Sequence, residues 1–372
     1  FSMFGSRLNV TADAYIRDTK NMLTTSLTLP DVFGAATPKA NCANLRTNGW
    51  EVAVKWNDTV KVGGKPLNYS ISGTLGDYKT KITKYHNPEK LLDDYYEGMT
   101  LGEIWGYHVD GLYQSDFEAD IDNDELKDIV ARYRISKSND ADCGNRLRAG
   151  DVKYVALDGN HEISPGASSY DDHGDLRIIG NSLPRFSYSF SLGLDWNGFD
   201  FGAFFQGVGH RDWYPQGGND TAYEFWVNYA CLYPSFIPKG FMDNVWSEDN
   251  PDAYFPRNRG YAANTQGQLG TVNDRYLQNV AYLRLKNLTL GYTLNRKITR
   301  KIGIEKLRVY FTGENLFYLS PLKKYCKTVD PENAGATGAF VGAGGKGTGW
   351  SGGSGTAYPY STVFSFGVDL QF

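Results

Sequence analysis

No run of about eighteen consecutive apolar residues occurs anywhere in this chain, which excludes a helical membrane span. Cysteine is scarce: Cys42, Cys143, Cys231 and Cys326 are the only four, and none has the close spacing of a metal site. All four fall outside the segments read below as strands. In an oxidising compartment they allow several disulfide pairings, among which sequence does not choose, and unpaired loop thiols are the alternative. The five histidines show no ligand spacing, and no serine sits in a nucleophile elbow. A charge excess is also lacking: the formal charge of -4 gives no electrostatic reason to expect nucleic acid. No leader-type segment opens the chain, since Phe1-Ser-Met-Phe4 runs at once into strand-like sequence. The expectation is therefore a piece of a longer polypeptide.

What is abundant is aromatic: 26 Tyr, 20 Phe and 8 Trp, 15% of the chain. Such an excess suits a barrel with aromatic girdles and equally an aromatic-rich carbohydrate binder. The mean hydropathy of -0.45 would suit a soluble protein, but transmembrane barrels share it because only alternate strand residues face lipid.

Several runs alternate with period two, the signature of a strand with one apolar face. In 7–16, Leu8, Val10, Ala12, Ala14 and Ile16 oppose Asn9, Thr11, Asp13 and Tyr15. In 49–56, Trp50, Val52, Val54 and Trp56 share a face, and in 66–75 so do Leu67, Tyr69, Ile71, Gly73 and Leu75. The cleanest run is 185–196, with Phe186, Tyr188, Phe190, Leu192, Leu194 and Trp196 against a serine-rich face. Asn197-Gly198 predicts a two-residue hairpin turn into a strand bearing Phe199, Phe201, Ala203 and Phe205. Leu288, Leu290, Tyr292 and Leu294 form another face, and Leu307, Val309 and Phe311 one more. With the last segment, about eight strands are expected.

Periodicity alone fits a half-buried soluble sheet as well as a membrane wall. The connections separate the two. They alternate in length: 17–48 long, 57–66 short, 76–184 very long, 197–198 minimal, 214–280 long, 295–306 short and 319–357 long. Outer-membrane barrels have short periplasmic turns and long extracellular loops, whereas a compact domain rarely carries several long structureless loops. Eight strands left as an open sheet would expose two unpaired edges to lipid, so the rest of a barrel is expected in further sequence.

The final strand carries Phe364, Phe366, Val368, Leu370 and Phe372 on one face, against Ser365, Gly367, Asp369 and Gln371. A chain ending in such a strand with a terminal aromatic resembles the sorting signal read by the barrel assembly machinery. Four further blocks resemble SusC/RagA-type TonB-dependent transporters. They are Gly180–Phe190 continuing to Trp196–Gly207, the run Val280-Ala-Tyr-Leu-Arg-Leu-Lys-Asn-Leu-Thr-Leu-Gly-Tyr-Thr-Leu294, the strand Leu307-Arg-Val-Tyr-Phe-Thr-Gly-Glu-Asn-Leu-Phe317, and Gly102–Ser115. The blocks occur in the family's order and span nearly the whole chain.

That resemblance implies an all-β fold: residues 1–372 would be the C-terminal part of a 22-stranded, plugged, antiparallel transmembrane β-barrel in the bacterial outer membrane, with long extracellular loops. It implies import of oligosaccharides or peptides rather than enzymatic chemistry. The implied partners are a SusD-like surface lipoprotein and the TonB complex, the latter contacted through a plug-bearing N-terminal part. No cofactor is implied. Alternatives are a TonB-dependent receptor for a siderophore or small nutrient, or a secreted β-sandwich that binds or cleaves polysaccharide. Members of the family often carry a calcium-loop-like segment. Here Ala156, His161 and Ser164 replace its key positions, and Asp158, Asn160 and Glu162 supply too few oxygens for calcium, so no metal site is expected.

Other motifs carry less. Gly347-Thr-Gly-Trp-Ser-Gly352 satisfies a nucleotide-loop pattern but lies in a Gly/Ser-rich stretch with no helix after it. Asp93-Asp94, Asp171-Asp172 and the acidic run 120–124 read as solvated loop charges rather than glycosidase carboxylates. The aromatic loop is the better lead: Trp213, Tyr214, Tyr223, Phe225, Trp226, Tyr229 and Tyr233 crowd one connection, followed by Trp246, Tyr254 and Phe255. Of these, Trp213, Tyr214, Trp226 and Tyr229 are the candidates for contact with ligand or lid. The competing expectation is that they pack the loop itself.

Overall fold

The computed structural model describes residues 1–25, 39–115, 132–133, 149–157, 162–215, 240–258, 271–327, 329–334 and 359–372. Eight long strands form one antiparallel meander: β1 Leu8–Thr25, β2 Lys39–Val62, β3 Lys65–Lys84, β4 Arg185–Trp196, β5 Phe199–His210, β6 Tyr282–Thr293, β7 Lys306–Leu319 and β8 Val363–Gln371. Each pairs with its sequence neighbours, and a two-residue strand, Ser2–Met3, adds to the outer edge of β1. The sheet is an open segment of an antiparallel barrel: among the described residues, β8 has no partner on its far side.

Register aligns the alternating faces from strand to strand. One row of opposed residues runs through all eight: Leu8, Trp56, Ile71, Leu192, Ala203, Leu288, Gly313 and Phe364. A neighbouring row on the same face reads Tyr69, Leu194, Phe201, Leu290, Phe311 and Phe366. The row between them points the other way and reads Asn57, Ser70, Gly193, Gly202, Thr289, Thr312 and Ser365. A one-residue slip of any strand would exchange these faces, so the pattern fixes register wherever one face is apolar.

The apolar face is uncovered. Phe366 is 83% exposed, Leu290 50% and Ile71 48%. Leaving a side chain of this size in water forfeits about 1.5–3 kcal/mol, and the loss recurs along every strand. A soluble sheet would cover such a face with a second layer, and a lipid bilayer covers it without one.

Both tight turns lie at the same end of the sheet. Gly63-Gly64 joins Val62 to its partner Lys65 with φ of 58° and 76°, and Asn197-Gly198 joins Trp196 to Phe199 with 51° and 88°. Positive φ at both central positions is the hairpin geometry whose twist matches the strands. At this end too, β6 passes to β7 through a short helix, Arg296–Thr299, capped by Asn295, whose side chain accepts the Lys297 N–H at 2.9 Å. Aromatic side chains gather there: Trp56 donates to Tyr69 at 3.2 Å, and the rings of Phe199 and Tyr292 lie 4.5 Å apart.

Two expectations need correction. The expected loops at 17–48 and after 75 begin later, because β1 to β3 continue as paired strands to Thr25, from Lys39 and to Lys84. Their 18, 24 and 20 residues are about twice the 9–11 that span a bilayer, so this hairpin projects past it. Beyond Ile16 charged residues occupy both faces, as in the Arg46–Asp18 pair at 2.7 Å, so the periodic signal ends while backbone pairing does not. Cys42 consequently lies on β2, not in a loop. Cys326 is buried in the loop layer, and Cys143 and Cys231 lie outside the described residues.

Candidate functional site in the loop layer

Among the described residues the packed hydrophobic core sits in the long connections, joined from the sheet by Ile82 of β3. Leu92, Tyr96, Trp105, Tyr107, Val152 and Leu176 come from the β3–β4 connection. Trp213, Tyr214, Trp246, Phe255, Tyr276 and Val280 come from β5–β6, and Leu322, Cys326, Val329 and Ala334 from β7–β8. Loops that must stand in water yet hold one shape need an apolar interior of their own.

Trp213 and Tyr214 are central to it. Asp212–Trp213 pairs antiparallel with Gln278–Asn279, drawing the two ends of the aromatic connection together above β5 and β6. Asp212 is fixed from below: its carboxylate accepts the Asn181 N–H at 2.9 Å and contacts His210 Nε2 at 3.0 Å. Trp213 is 5% exposed and Tyr214 1%. Burial drives the Tyr214 pKa well above the usual phenol range, so the group stays neutral. Its O–H donates to the Thr271 carbonyl at 2.8 Å and accepts from Asn273 Nδ2 at 3.1 Å. Both side chains therefore serve the platform from inside. Trp226 and Tyr229, like Tyr223, Phe225 and Tyr233, lie outside the described residues.

Ring stacking joins this platform to the next connection. Tyr254 stacks on Tyr325 with centroids 3.6 Å apart, Phe255 on Phe241 at 5.0 Å, and Arg275 lies over Tyr254 at 5.7 Å. The β3–β4 connection docks through its backbone: the Tyr107 N–H donates to Val272 at 3.0 Å and the Val109 N–H to Asp274 at 3.0 Å. Three connections thus share one interior.

Sequence patterns missed the polar clamp on the wall. Arg284 of β6, 2% exposed, donates a hydrogen bond to Asp330 at 2.5 Å and forms an ion pair with Glu332, while Lys286 reaches Glu332 at 2.7 Å. The guanidinium also lies 4.8 Å from the Tyr318 ring centroid and 5.4 Å from that of Tyr360. The visible signal was two cations, Arg284 and Lys286, on the parity that carries Leu288 and Leu290 further along the run; the register shift between Leu285 and Asn287 takes Arg284 off the apolar face, and the partners stand 46 residues away. On the polar face near the turns, Arg308 of β7 grips Asp200 of β5 at 2.6 Å and Asp369 of β8 at 3.0 Å. The pair crosses β6 at Gly291, where an added Cβ would meet the Asp200 carboxylate at 2.4 Å, so a side chain there would block it.

The candidate carboxylates have structural partners. Asp94 accepts the Tyr85 O–H at 2.9 Å, Asp171 pairs with Lys90 at 3.1 Å, and Asp172 accepts the Ala167 N–H at 3.1 Å. Asp175, fully buried, accepts the Leu157 N–H at 2.6 Å and the Ser164 N–H at 2.9 Å, closing the calcium-loop-like segment at its base. Asp158 and Asn160, the glycine-rich 347–352 and the acidic run 120–124 lie outside the described residues.

An antiparallel sheet with one uncovered apolar face, short turns at one end and a self-packed loop layer at the other is part of a transmembrane-type β-barrel. Comparison with known proteins agrees and narrows the class. No family model matches the chain. It is 25% identical to TonB-dependent receptor P3 of Formosa agariphila over 331 residues, 85% of this chain and 28% of that protein. It is 23% identical to TonB-dependent receptor P39 of the same organism, over 100% of this chain and 34% of the relative. With TonB-dependent receptor SusC of Bacteroides thetaiotaomicron it shares 24% over 91% of its length and 33% of that protein's. A solved chain of the RagAB peptide transporter superposes over 100% of this chain and 34% of its own, with TM-score 0.64 and 21% identity. The resemblance to SusC/RagA-type TonB-dependent receptors thus holds in sequence and in fold, and these relatives are receptors and importers rather than enzymes. The chain spans about a third of the length of the relatives it matches.

Proposed function

We propose that this chain forms part of the wall and outer loop layer of an outer-membrane, TonB-dependent importer of oligosaccharides or peptides. The observation that carries the reading is the apolar face, registered across eight strands and left uncovered while the packed core lies in the loops. It favours a lipid-embedded wall over a secreted sandwich, which buries such a face between two sheets. The named relatives favour large-nutrient import over siderophore uptake, since one is SusC and another belongs to a peptide transporter. A SusD-like lipoprotein would close over the loop layer, and the TonB complex would act through parts of the carrier polypeptide other than this wall.

Within that reading, Trp213 and Tyr214 are positioning residues that set the base of the aromatic connection, and Trp226 and Tyr229 contact ligand or lid directly. Aromatic faces suit such contacts because they bury a large area at small entropic cost. The exposed stripe Phe364, Phe366, Val368, Leu370 and Phe372 serves as the sorting signal for barrel assembly. One complementation experiment tests both parts in a strain lacking the gene. The Trp226→Ala/Tyr229→Ala variant should reach the surface at normal level yet lose growth on the cognate glycan or peptide. Deletion of Phe372 should lower the surface level itself. Normal growth with the double variant removes the ligand role, and normal surface level after the deletion removes the sorting role.

A further inference from the structure

The outward face has a last row before the loops begin: Tyr188, Gly207, Leu283 and Leu319, opposed in register across β4 to β7. Here a groove of about 470 Å³ opens on the outward side. Its floor is low because Gly209 and Ala281 bring almost no side chain to it, while Tyr188, Leu283 and Leu319 form its walls. Leu319 is 61% exposed, continuing the apolar band to the rim. The outer lip is the 3-10 turn Pro321–Lys324, held in place by the buried Leu322 and by Ser320, whose hydroxyl accepts the Leu322 N–H at 3.2 Å.

That lip is basic. Lys323 lines the groove, and Lys324 and Lys327 follow it, all exposed. The Lys323 ammonium donates to the Tyr318 carbonyl at 2.7 Å and sits 3.6 Å from that ring's centroid; Lys324 lies over Tyr325 at 4.8 Å. None of the three makes an ion pair among the described residues. An apolar trough continuous with the lipid-facing band, topped by cations without carboxylate partners, matches one kind of molecule: an amphiphile with acyl chains below and phosphate above.

We propose that this groove binds an acyl chain of a phosphorylated lipid from the leaflet on the long-loop side, with Lys323 and Lys324 holding the phosphate. The proposal rests on the sheet being a membrane wall and adds to it a specific lipid site at the junction of β4–β7 with the β7–β8 connection. A lipid seated there ties the rim of the wall to the base of the same connection that Arg284 clamps from the other side.

The test uses the polypeptide that carries this chain, purified in detergent and mixed with lipid A bisphosphate or with the same lipid dephosphorylated. Bound lipid is counted by native mass spectrometry. With about 1 kcal/mol for each lysine near an anionic headgroup, the wild type should prefer the phosphorylated lipid by about tenfold or more. The Lys323→Glu/Lys324→Glu variant should lose that preference. Leu319→Ser, at an exposed position, should weaken both lipids together. Equal retention of the two lipids by the wild type, or an unchanged preference in the double variant, overturns the site. Each preparation is also diluted below the detergent's critical concentration. A protein that stays soluble there defeats the membrane reading, whereas one that needs detergent but shows no lipid preference defeats only the groove.

Discussion

Replacing Arg284 with alanine should destabilise the loop layer by about 3–5 kcal/mol, the cost of stranding a buried charge whose partner has been removed. Among the described residues, Asp330, 2% exposed, would keep only backbone donors, the N–H groups of Glu332 at 3.1 Å and Tyr360 at 3.3 Å. Glu332 would retain Lys286. The rings of Tyr318 and Tyr360 would also lose the cation between them. Because Arg284 stands on β6 and both carboxylates on the β7–β8 connection, the damage should be local. Limited proteolysis should cut within 320–334 while the strands resist, and the melting transition of the loop layer should fall. Arg284→Ala combined with Asp330→Asn should recover part of the loss, since no buried carboxylate is then left charged at that position. A single variant as stable and as protease-resistant as the wild type would show that the clamp carries no net stabilisation.

Trp213→Ala should cost a similar amount, about 3–5 kcal/mol, through the lost burial of the indole and the cavity left among Asp212, Gln278 and their neighbours. Tyr214→Phe should cost only about 0.5–1.5 kcal/mol, because it removes one hydroxyl that donates to Thr271 and accepts from Asn273 but leaves the ring in place. The order of the two variants, read from thermal unfolding, tests the positioning role. Trp213→Ala should impair ligand or lid binding only in proportion to the unfolded fraction. Selective loss of binding at unchanged stability would place Trp213 on the contact surface instead.

The strands were legible in the sequence where one face met an apolar medium and the other did not. From Arg185 to Phe205 alternation and the Asn197-Gly198 turn specify both strands and their register, and β8 reads equally well from its terminus. The outer halves of β1, β2 and β3 were illegible because backbone pairing alone leaves no periodic trace once both faces are polar. The loop interior was illegible for a related reason: its aromatics follow no period, and Tyr254 finds Tyr325 only through tertiary packing. The candidate residues Trp213 and Tyr214 were visible as loop aromatics, but whether such rings face ligand or interior is decided by Asp212, His210 and Asn181 beneath them. No spacing rule links those residues.

The registered apolar face should meet lipid. Spin labels attached singly through cysteine on β6 and β8, in the polypeptide that carries this chain reconstituted in bilayers, test it most directly. Labels at 290, 364, 366 and 368 should be quenched by oxygen and shielded from a water-soluble nickel reagent. Labels at 289, 365 and 367 should show the opposite, giving a period of two along each strand. Equal access of the nickel reagent to both sets, or shielding of the outward set from both reagents by another protein layer, would contradict the account.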